Sequence, residues 1–439
     1  MTREMKDSGV EWIGRIPKTW EVKAGKYCLT LLKRIPSSDD QVVTCFRDGE
    51  VTLRSERREE GFTISEKEIG YQGVKTGDLV VHGMDGFAGA IGISKFDGKG
   101  SPILNVLDSY SNKQFLAYYL RAAAFKGYFL ATATGIRVRS CDLRWPKLAK
   151  MPILLPPLAA QQAIADYLDS KCSQIDQLTD NIKQQIASLS EYKKALITQA
   201  VTKGLDPDVE MKDSGIEWIG EIPGEWQIIR IKHLVNMKGR IGWQGLKSDE
   251  FLDEGPYLIT GTDFENGNIN WTSCKHISEE RFQQDPNIHI RENDLLITKD
   301  GTIGKLAVVS NCREKVSLNS GVMILRSIGK YEYDSKFLYY NLMSDAFHIW
   351  FGMSDTGQST IKHLTQEKFE NYSIGLPSIT EQQSIASYLD SKCSQIDALI
   401  QTKSEILNVL QEYKKSLIFD YVTGKKEVPV SYRKDGCHE

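Results

Sequence analysis

Two stretches of this 439-residue chain occur twice, in the same order, and that duplication limits the folds open to it. Residues 5–22 read MKDSGVEWIGRIPKTWEV and residues 211–228 read MKDSGIEWIGEIPGEWQI. YLDSKCSQID at 167–176 recurs without change at 388–397, and EYKK at 191–194 recurs at 412–415. The openings stand 206 residues apart and the closings 221, so the stretch between them is about fifteen residues longer in the second half. Two copies are too few for a solenoid, which stacks several short units. They suit two equivalent bodies, each made of a shared opening, a divergent middle and a shared closing. The frame does one job twice, and the middles do the same kind of job on two different targets.

The closings read as long helices. Leu168, Ile175, Ile182, Leu189 and Leu196 fall at seven-residue intervals, with Leu178, Ile186 and Tyr192 on the same face. The second copy places Leu389, Ile396, Leu410 and Leu417 alike, with Leu399, Ile406 and Tyr413 between them and Lys403 interrupting the row. Pro156 and Pro157 precede the first helix. Ser378 to Glu381 matches a capping box before the second. Gly204 and Gly424 stand where left-handed C-caps are expected. Helices of about 40 residues span roughly 60 Å, and two such amphipathic rods in one chain pack most simply on each other, antiparallel. A partner protein covering the seams is the competing arrangement.

The middles carry strand and turn signals. VTCFRDGEVTLRS at 43–55 turns at Asp48-Gly49, and GDLVVHGMDGFAGAIGIS at 77–94 parallels NDLLITKDGTIGKLAVVS at 293–310. QFLAYYL at 114–120 parallels KFLYYNL at 336–342 and reads as a helix. ATGIRVRSCDL at 133–143 and DTGQSTIKHL at 355–364 are polar loops just before each long helix. The expected class is therefore α+β: two pseudo-equivalent α/β domains separated by two long antiparallel helices forming a coiled-coil spacer, with pseudo-two-fold symmetry. The expected bounds are an N-terminal segment 1–22, a first domain 23–156, a helix 157–204, a linker and repeated opening 205–228, a second domain 229–377, a helix 378–424 and a tail 425–439.

No catalytic constellation emerges. GFAGAIG at 86–92 loses its outer glycine in the copy GTIGKLA at 301–307, so it reads as a strand turn rather than a nucleotide loop. No GxxxxGK[ST] loop is present, the only Pro-Pro is followed by Leu158, and the seven histidines have no metal spacing. The eight cysteines stand singly, which suits free thiols in a reducing cytoplasm. No apolar run reaches membrane-helix length, and the N-terminus has no apolar signal core.

Nucleic-acid features do appear. Candidate DNA contacts in the first middle are Arg47, Arg54, Arg57, Arg58, Gln72, His82, Asp85, Arg137 and Arg139. Those in the second are Arg240, Trp243, Gln244, Lys247, Lys299, Thr302, Gln358, Ser359, Thr360, Lys362 and His363. Arginine suits guanine edges and phosphates, glutamine suits adenine, and hydroxyls hold phosphates. Lysine plus arginine exceeds aspartate plus glutamate by 4 over residues 29–158 and falls short by 2 over 229–374, so charge alone decides nothing for the second middle. A lone DNA-modifying enzyme and a non-DNA coiled-coil adaptor stay open on the residues by themselves.

The KDSG-x-EWIG-x-IP openings, the LPP or LPS…QQ-x-IA-x-YLD-x-K…QID helix starts, the EYK…VTKG or VTG exits, and GWQGLKSDEF and TGQSTIKHLT together resemble the specificity subunits of type I restriction-modification systems. The likeness covers nearly the whole chain. It implies that each middle is a target recognition domain reading one half of a split, asymmetric double-stranded DNA site. The paired helices would set the gap. They would also dock two adenine methyltransferase subunits, to which restriction-translocase subunits are added. It implies no catalysis and no cofactor in this chain, with S-adenosylmethionine, ATP and Mg on the partners.

Overall fold

The computed structural model describes residues 3–57, 69–132, 143–240, 246, 248–300, 302–354 and 364–432. The chain forms two compact units, residues 1–183 with 405–439, and residues 184–404. Each contains one opening, one divergent middle and portions of both long helices, Leu158–Lys203 and Ile379–Val422. Among the described residues, no helix is long and apolar enough to cross a membrane.

The middles share a topology despite their unlike sequences. In the first unit an antiparallel sheet has the strand order Thr30–Leu31, Leu104–Asp108, Leu79–His82, Ile91–Ile93. A second sheet pairs Val42–Cys45 in parallel with Gly98–Gly100. The second unit repeats this with Val235–Gly239, Val322–Ser327, Leu295–Thr298 and Leu306–Val308, and with a parallel pair between Leu252–Ile259 and Val316–Leu318. The GDLVV and NDLLI stretches thus form equivalent central strands. The aspartate before each is buried and ion-paired, Asp78 with Arg34 and Asp294 with Arg326. The two arginines come from different places in the repeat, so the middles kept the buried carboxylate and found separate partners for it. A buried carboxylate without such a partner is costly.

The repeated residues make the joints. Helices Lys113–Phe125 and Ser335–Met343 are the QFLAYYL and KFLYYNL segments. Tyr118 donates to Asp169 at 2.7 Å and Tyr340 to Asp390 at 2.8 Å, fixing each helix to the adjacent long helix. Burial raises both phenols well above their ordinary range, so both remain donors. The first glutamine of each QQ pair is buried. Gln161 accepts from the Asn112 amide at 2.9 Å and donates to the Pro156 carbonyl at 2.8 Å. Gln382 does the same with Asp334 at 2.8 Å and Pro377 at 2.9 Å.

Within each unit the long helices run antiparallel. In the first unit Tyr167 meets Tyr421 and Asp176 meets Lys414 (2.6 Å). In the second, Gln185 meets Lys403 (2.6 Å) and Lys193 meets Asp397 (2.6 Å). The lysines of EYKK and the aspartates of SQID are thus the repeated cross-helix ion pairs. Gly204 and Gly424 end the helices in the left-handed conformation expected, with φ of 76° and 68°. The capping box is half formed: Ser378 Oγ accepts from the Glu381 amide at 3.3 Å, while the Glu381 carboxylate accepts from Trp226 Nε1 at 3.1 Å.

The seam departs from expectation in its second row. Leu168, Ile175, Ile182, Leu389, Ile396 and Leu417 are buried, and Leu189, Leu196 and Leu410 are half-buried. Leu178, Leu399 and Ile406 were expected to fill the row three residues on, yet they are 48%, 51% and 43% exposed. The contact row lies four residues on instead. It contains Cys172, Thr179, Ile186, Lys193 and Ala200 on one helix and Cys393, Ile400, Leu407, Lys414 and Tyr421 on the other, all buried or half-buried. On a 3.6-residue helix, positions three and four away flank the same line about equally. The larger aliphatics on the three-residue side suggested the wrong flank.

Candidate nucleic-acid interface

In the first unit, strand Leu79–His82 pairs with Leu104–Asp108 so that His82 faces Leu104. Two clefts open at this end of the ladder. The first, about 570 Å³, is lined by Thr44, Phe46, Arg47, Asp48, Arg57, His82 and Asp85. Four of the sequence-predicted residues meet here. Arg47 is paired with Asp85 at 2.8 Å and keeps an exposed guanidinium edge. Arg57 pairs with Asp48 and Glu50 and lies 4.3 Å from the centre of the Phe46 ring. Burial, the largest single influence, works against ionisation of Asp48, but the hydrogen bonds from Arg57 and the Glu50 amide, together with the charges of Arg57 and Arg121, outweigh it and lower the carboxyl's pKa. His82 Nδ1 accepts from the Asp85 amide at 2.9 Å and from Met84 at 3.3 Å, which requires an unprotonated Nδ1. Burial holds the His82 pKa below its ordinary value, although the Asp85 charge opposes this.

The second cleft, about 550 Å³, lies on the Leu104 side and is lined by Lys33, Arg34, Tyr71, Gln72, Asn105, Arg144 and Trp145 among others. Gln72 donates to the Leu104 carbonyl at 2.5 Å, a bond that uses its amide nitrogen and not its oxygen. Asn105 donates to the Val81 carbonyl at 3.2 Å and to the Leu143 carbonyl at 3.0 Å, tying this cleft to the neighbouring strand and to Leu143. Sequence reasoning missed Tyr71, Arg144 and Trp145. Only the adjacency of Arg144 and Trp145 to the polar loop at 133–143 could have drawn attention to any of them. Arg54 sits half-buried in the short helix Arg54–Glu56. Arg58, Arg137 and Arg139 lie outside the described residues.

The second unit gathers its candidates at the equivalent ladder end, where Thr298 faces Val322. Thr298 Oγ1 donates to the Thr302 carbonyl at 2.6 Å and accepts from the Lys305 amide at 2.9 Å, closing the turn that presents exposed Thr302. Lys299 runs beside Gly239, where an added Cβ would stand 3.5 Å from its Nζ. Leu364, at the end of the polar loop, donates its amide to the Lys299 carbonyl at 3.4 Å. Leu143 does the same to Gly83 at 2.8 Å in the first unit, so both loops return to the same place on their sheets. Arg240 departs from expectation. It is 0% exposed, donates through Nε to Leu318 (2.8 Å) and through Nη2 to Ser317 (3.1 Å), and presents no edge to a ligand. Burial, then the nearby Arg281 charge, lowers its pKa. Its place at the end of a strand, against the parallel pair, draws it inward. Trp243, Gln244, Lys247, Gln358, Ser359, Thr360, Lys362 and His363 lie outside the described residues.

These surfaces offer guanidinium, amide and aromatic groups, the chemistry of phosphate and base contact. Among the described residues no group of three or more His, Cys, Asp or Glu could hold a metal ion. Burial pushes the Cys28 thiol up to about 11 and Cys274 to about 12, so neither is a thiolate near neutrality.

The family model of the type I restriction modification DNA specificity domain matches residues 65–188 and 223–412. The MjaVIII specificity subunit of Methanocaldococcus jannaschii is 26% identical over 319 residues, covering 71% of this chain and 70% of that protein. The EcoBI specificity subunit of Escherichia coli is 25% identical over 301 residues, covering 67% of this chain and 62% of that protein. A chain from a solved type I restriction-modification assembly has a similar fold, with a TM-score of 0.70 at 15% identity over 94% of this chain and 99% of its own.

Proposed function

The chain belongs to the type I restriction-modification DNA specificity family and is a non-catalytic DNA-recognition subunit; from that premise we propose that its two middles, 23–156 and 229–377, read the two unlike halves of a split DNA site. The observation that carries this reading is a repeated frame beneath unrepeated clefts. Gln161 and Gln382, Tyr118 and Tyr340, and the two lysine–aspartate pairs make matching joints in both units. What those joints hold up differs: Arg47, His82 and Asp85 at one ladder end, Lys299 and Thr302 at the other. Phosphate contacts position each head, base contacts specify, and simultaneous engagement multiplies affinity through effective concentration.

The long helices serve in this reading as the spacer and as the dock for two adenine methyltransferase subunits. Leu178 and Tyr413 are 48% and 53% exposed on the helices of the first unit, and Leu399 and Tyr192 are 51% and 57% exposed in the second. These are repeat-related positions, one Leu–Tyr patch per unit, which suits two copies of one partner. S-adenosylmethionine, ATP and Mg belong to the methyltransferase and restriction-translocase partners. The test is a matched insertion of two helical turns in both long helices. Two turns add about 11 Å of helix, or about three base pairs of DNA. The gap between the methylated half-sites lengthens accordingly while both half-site sequences stay the same. Altered half-sites, or an unchanged gap, refute the spacer.

A further inference from the structure

A further cleft of about 950 Å³ opens in the first unit between the middle and the long helices; it shares Arg47 and Asp48 with the nucleic-acid interface and is otherwise lined by different residues. Its floor is apolar, with Ile91, Ala117, Ile175 and Ile418. Arg121 projects into it from helix Lys113–Phe125. The guanidinium carbon stands 5.6 Å from the Phe125 ring centre, and Lys415 Nζ stands 5.9 Å from the same ring. The guanidinium also covers the Asp48–Gly49 turn so closely that a Cβ on Gly49 would lie 2.7 Å from Cζ. Other cations of the cleft are matched: Lys95 with Glu50, Lys183 with Asp180, Lys414 with Asp176. Arg121 is the exception. Among the described residues it has no carboxylate within ion-pair distance, and its Nε is buried without a hydrogen-bond partner.

A guanidinium whose charged neighbour, Asp48, is already ion-paired with Arg57 favours an anion that arrives with its own apolar cover. A row of DNA phosphates does not suit the place, because Lys95, Lys183 and Lys414 are already held by Glu50, Asp180 and Asp176 and leave Arg121 as a single open cation. A single carboxylate beside aliphatic or aromatic side chains does suit it. The exposed Leu178 and Tyr413 lie on the same helix stretches that wall the cleft, so one protein covers both. We propose that this cleft takes an acidic, partly apolar segment of the methyltransferase subunit docked on the first unit, with Arg121 holding its carboxylate. The proposal rests on the docking reading above. In the repeat, Arg121 corresponds to Met343, which cannot hold a carboxylate. The two methyltransferase copies are therefore held unequally, the copy at the first unit more tightly and with more sensitivity to salt.

The test uses the full chain with its cognate methyltransferase subunit, its stoichiometry followed by native mass spectrometry and sedimentation as salt is raised. Arg121→Met copies the other half of the repeat. It is expected to weaken one of the two copies by about ten- to a hundredfold and to remove the difference in their salt dependence. Arg121→Lys, which keeps the charge, is expected to restore most of that binding, while the melting temperature of the free chain stays unchanged in both variants. Unchanged binding in Arg121→Met overturns the proposal, as does equal weakening of both copies. A loss of DNA affinity in the free chain, with stoichiometry intact, overturns it in favour of a phosphate site. If the unaltered chain binds no methyltransferase, the docking reading itself falls, and the anchor with it.

Discussion

Replacing Gln161 by leucine should release the head helix Lys113–Phe125 from the long helix while leaving the protein's shape nearly untouched. Leucine is close to glutamine in size, so little space is created. What disappears is an acceptor for the Asn112 amide at 2.9 Å and a donor to the Pro156 carbonyl at 2.8 Å. The carbonyl end is buried and cannot turn to water, whereas the Asn112 end is partly open. Stranding one buried group and weakening another costs about 2–4 kcal/mol. Expressed as local opening, that is roughly 30- to 1000-fold faster amide exchange. Hydrogen exchange at residues 112–116 reads it directly. Gln162→Leu is the internal control, since exposed Gln162 accepts from the Asn112 side chain at 2.7 Å and donates to Asp166 at 2.7 Å, both open to water, and their loss should cost under about 0.5 kcal/mol. Gln382→Leu should repeat the effect at residues 334–337 alone. If Gln161→Leu and Gln162→Leu accelerate exchange equally, the buried-clamp argument is wrong.

Gly204→Ala and Gly424→Ala each place a side chain at positive φ, costing about 1 kcal/mol. Gly424→Ala should cost more, because its Cβ would stand 2.7 Å from Pro17 Cδ while that of Gly204→Ala comes no closer than 3.3 Å to any atom, Glu381 Oε1; equal melting shifts contradict this. His82 has a folded pKa below the unfolded value near 6.5, so the unfolded chain binds the extra proton. Stability from the neutral ring is complete above that value and falls as pH drops through it, with the turn at Met84 and Asp85 opening first. Protection of the turn amides, taken relative to their intrinsic exchange at each pH, should fall as pH drops below 6.5, and His82→Asn should abolish that fall. A double-mutant cycle on Lys414 and Asp176, read by denaturant unfolding, should give a coupling of about 0.3–1 kcal/mol that shrinks with salt, because the carboxylate is largely exposed.

The frame was legible in the sequence because it is written twice. A residue kept at both copies against a background of divergence had to serve the shared joints, and Gln161, Asp169, Asp176 and Lys193 do so. The strands around Asp78 and Asp294 were also readable, since an aspartate, a β-run and a turn occur in both middles. The seam's second row was misread because residues three and four apart differ by only a small rotation, and the large side chains of Leu178, Leu399 and Ile406 lie on the outer flank. The clefts were not legible. Tyr71 is distant in the chain from Arg144 and Trp145, and only the fold brings them to one cleft. Arg240 was misplaced for a related reason: nothing local distinguishes an arginine that turns toward Leu318 and Ser317 from one that turns toward solvent.

The central claim is that two unlike heads on one repeated frame each read half of a DNA site. Its most direct measurement is a genome-wide map of methylated adenines in cells where residues 23–156 are exchanged for the corresponding segment of another specificity subunit. The account predicts a new sequence in one half of the methylated site, with the other half and the gap between them unchanged. A change in both halves, or in neither, would contradict it.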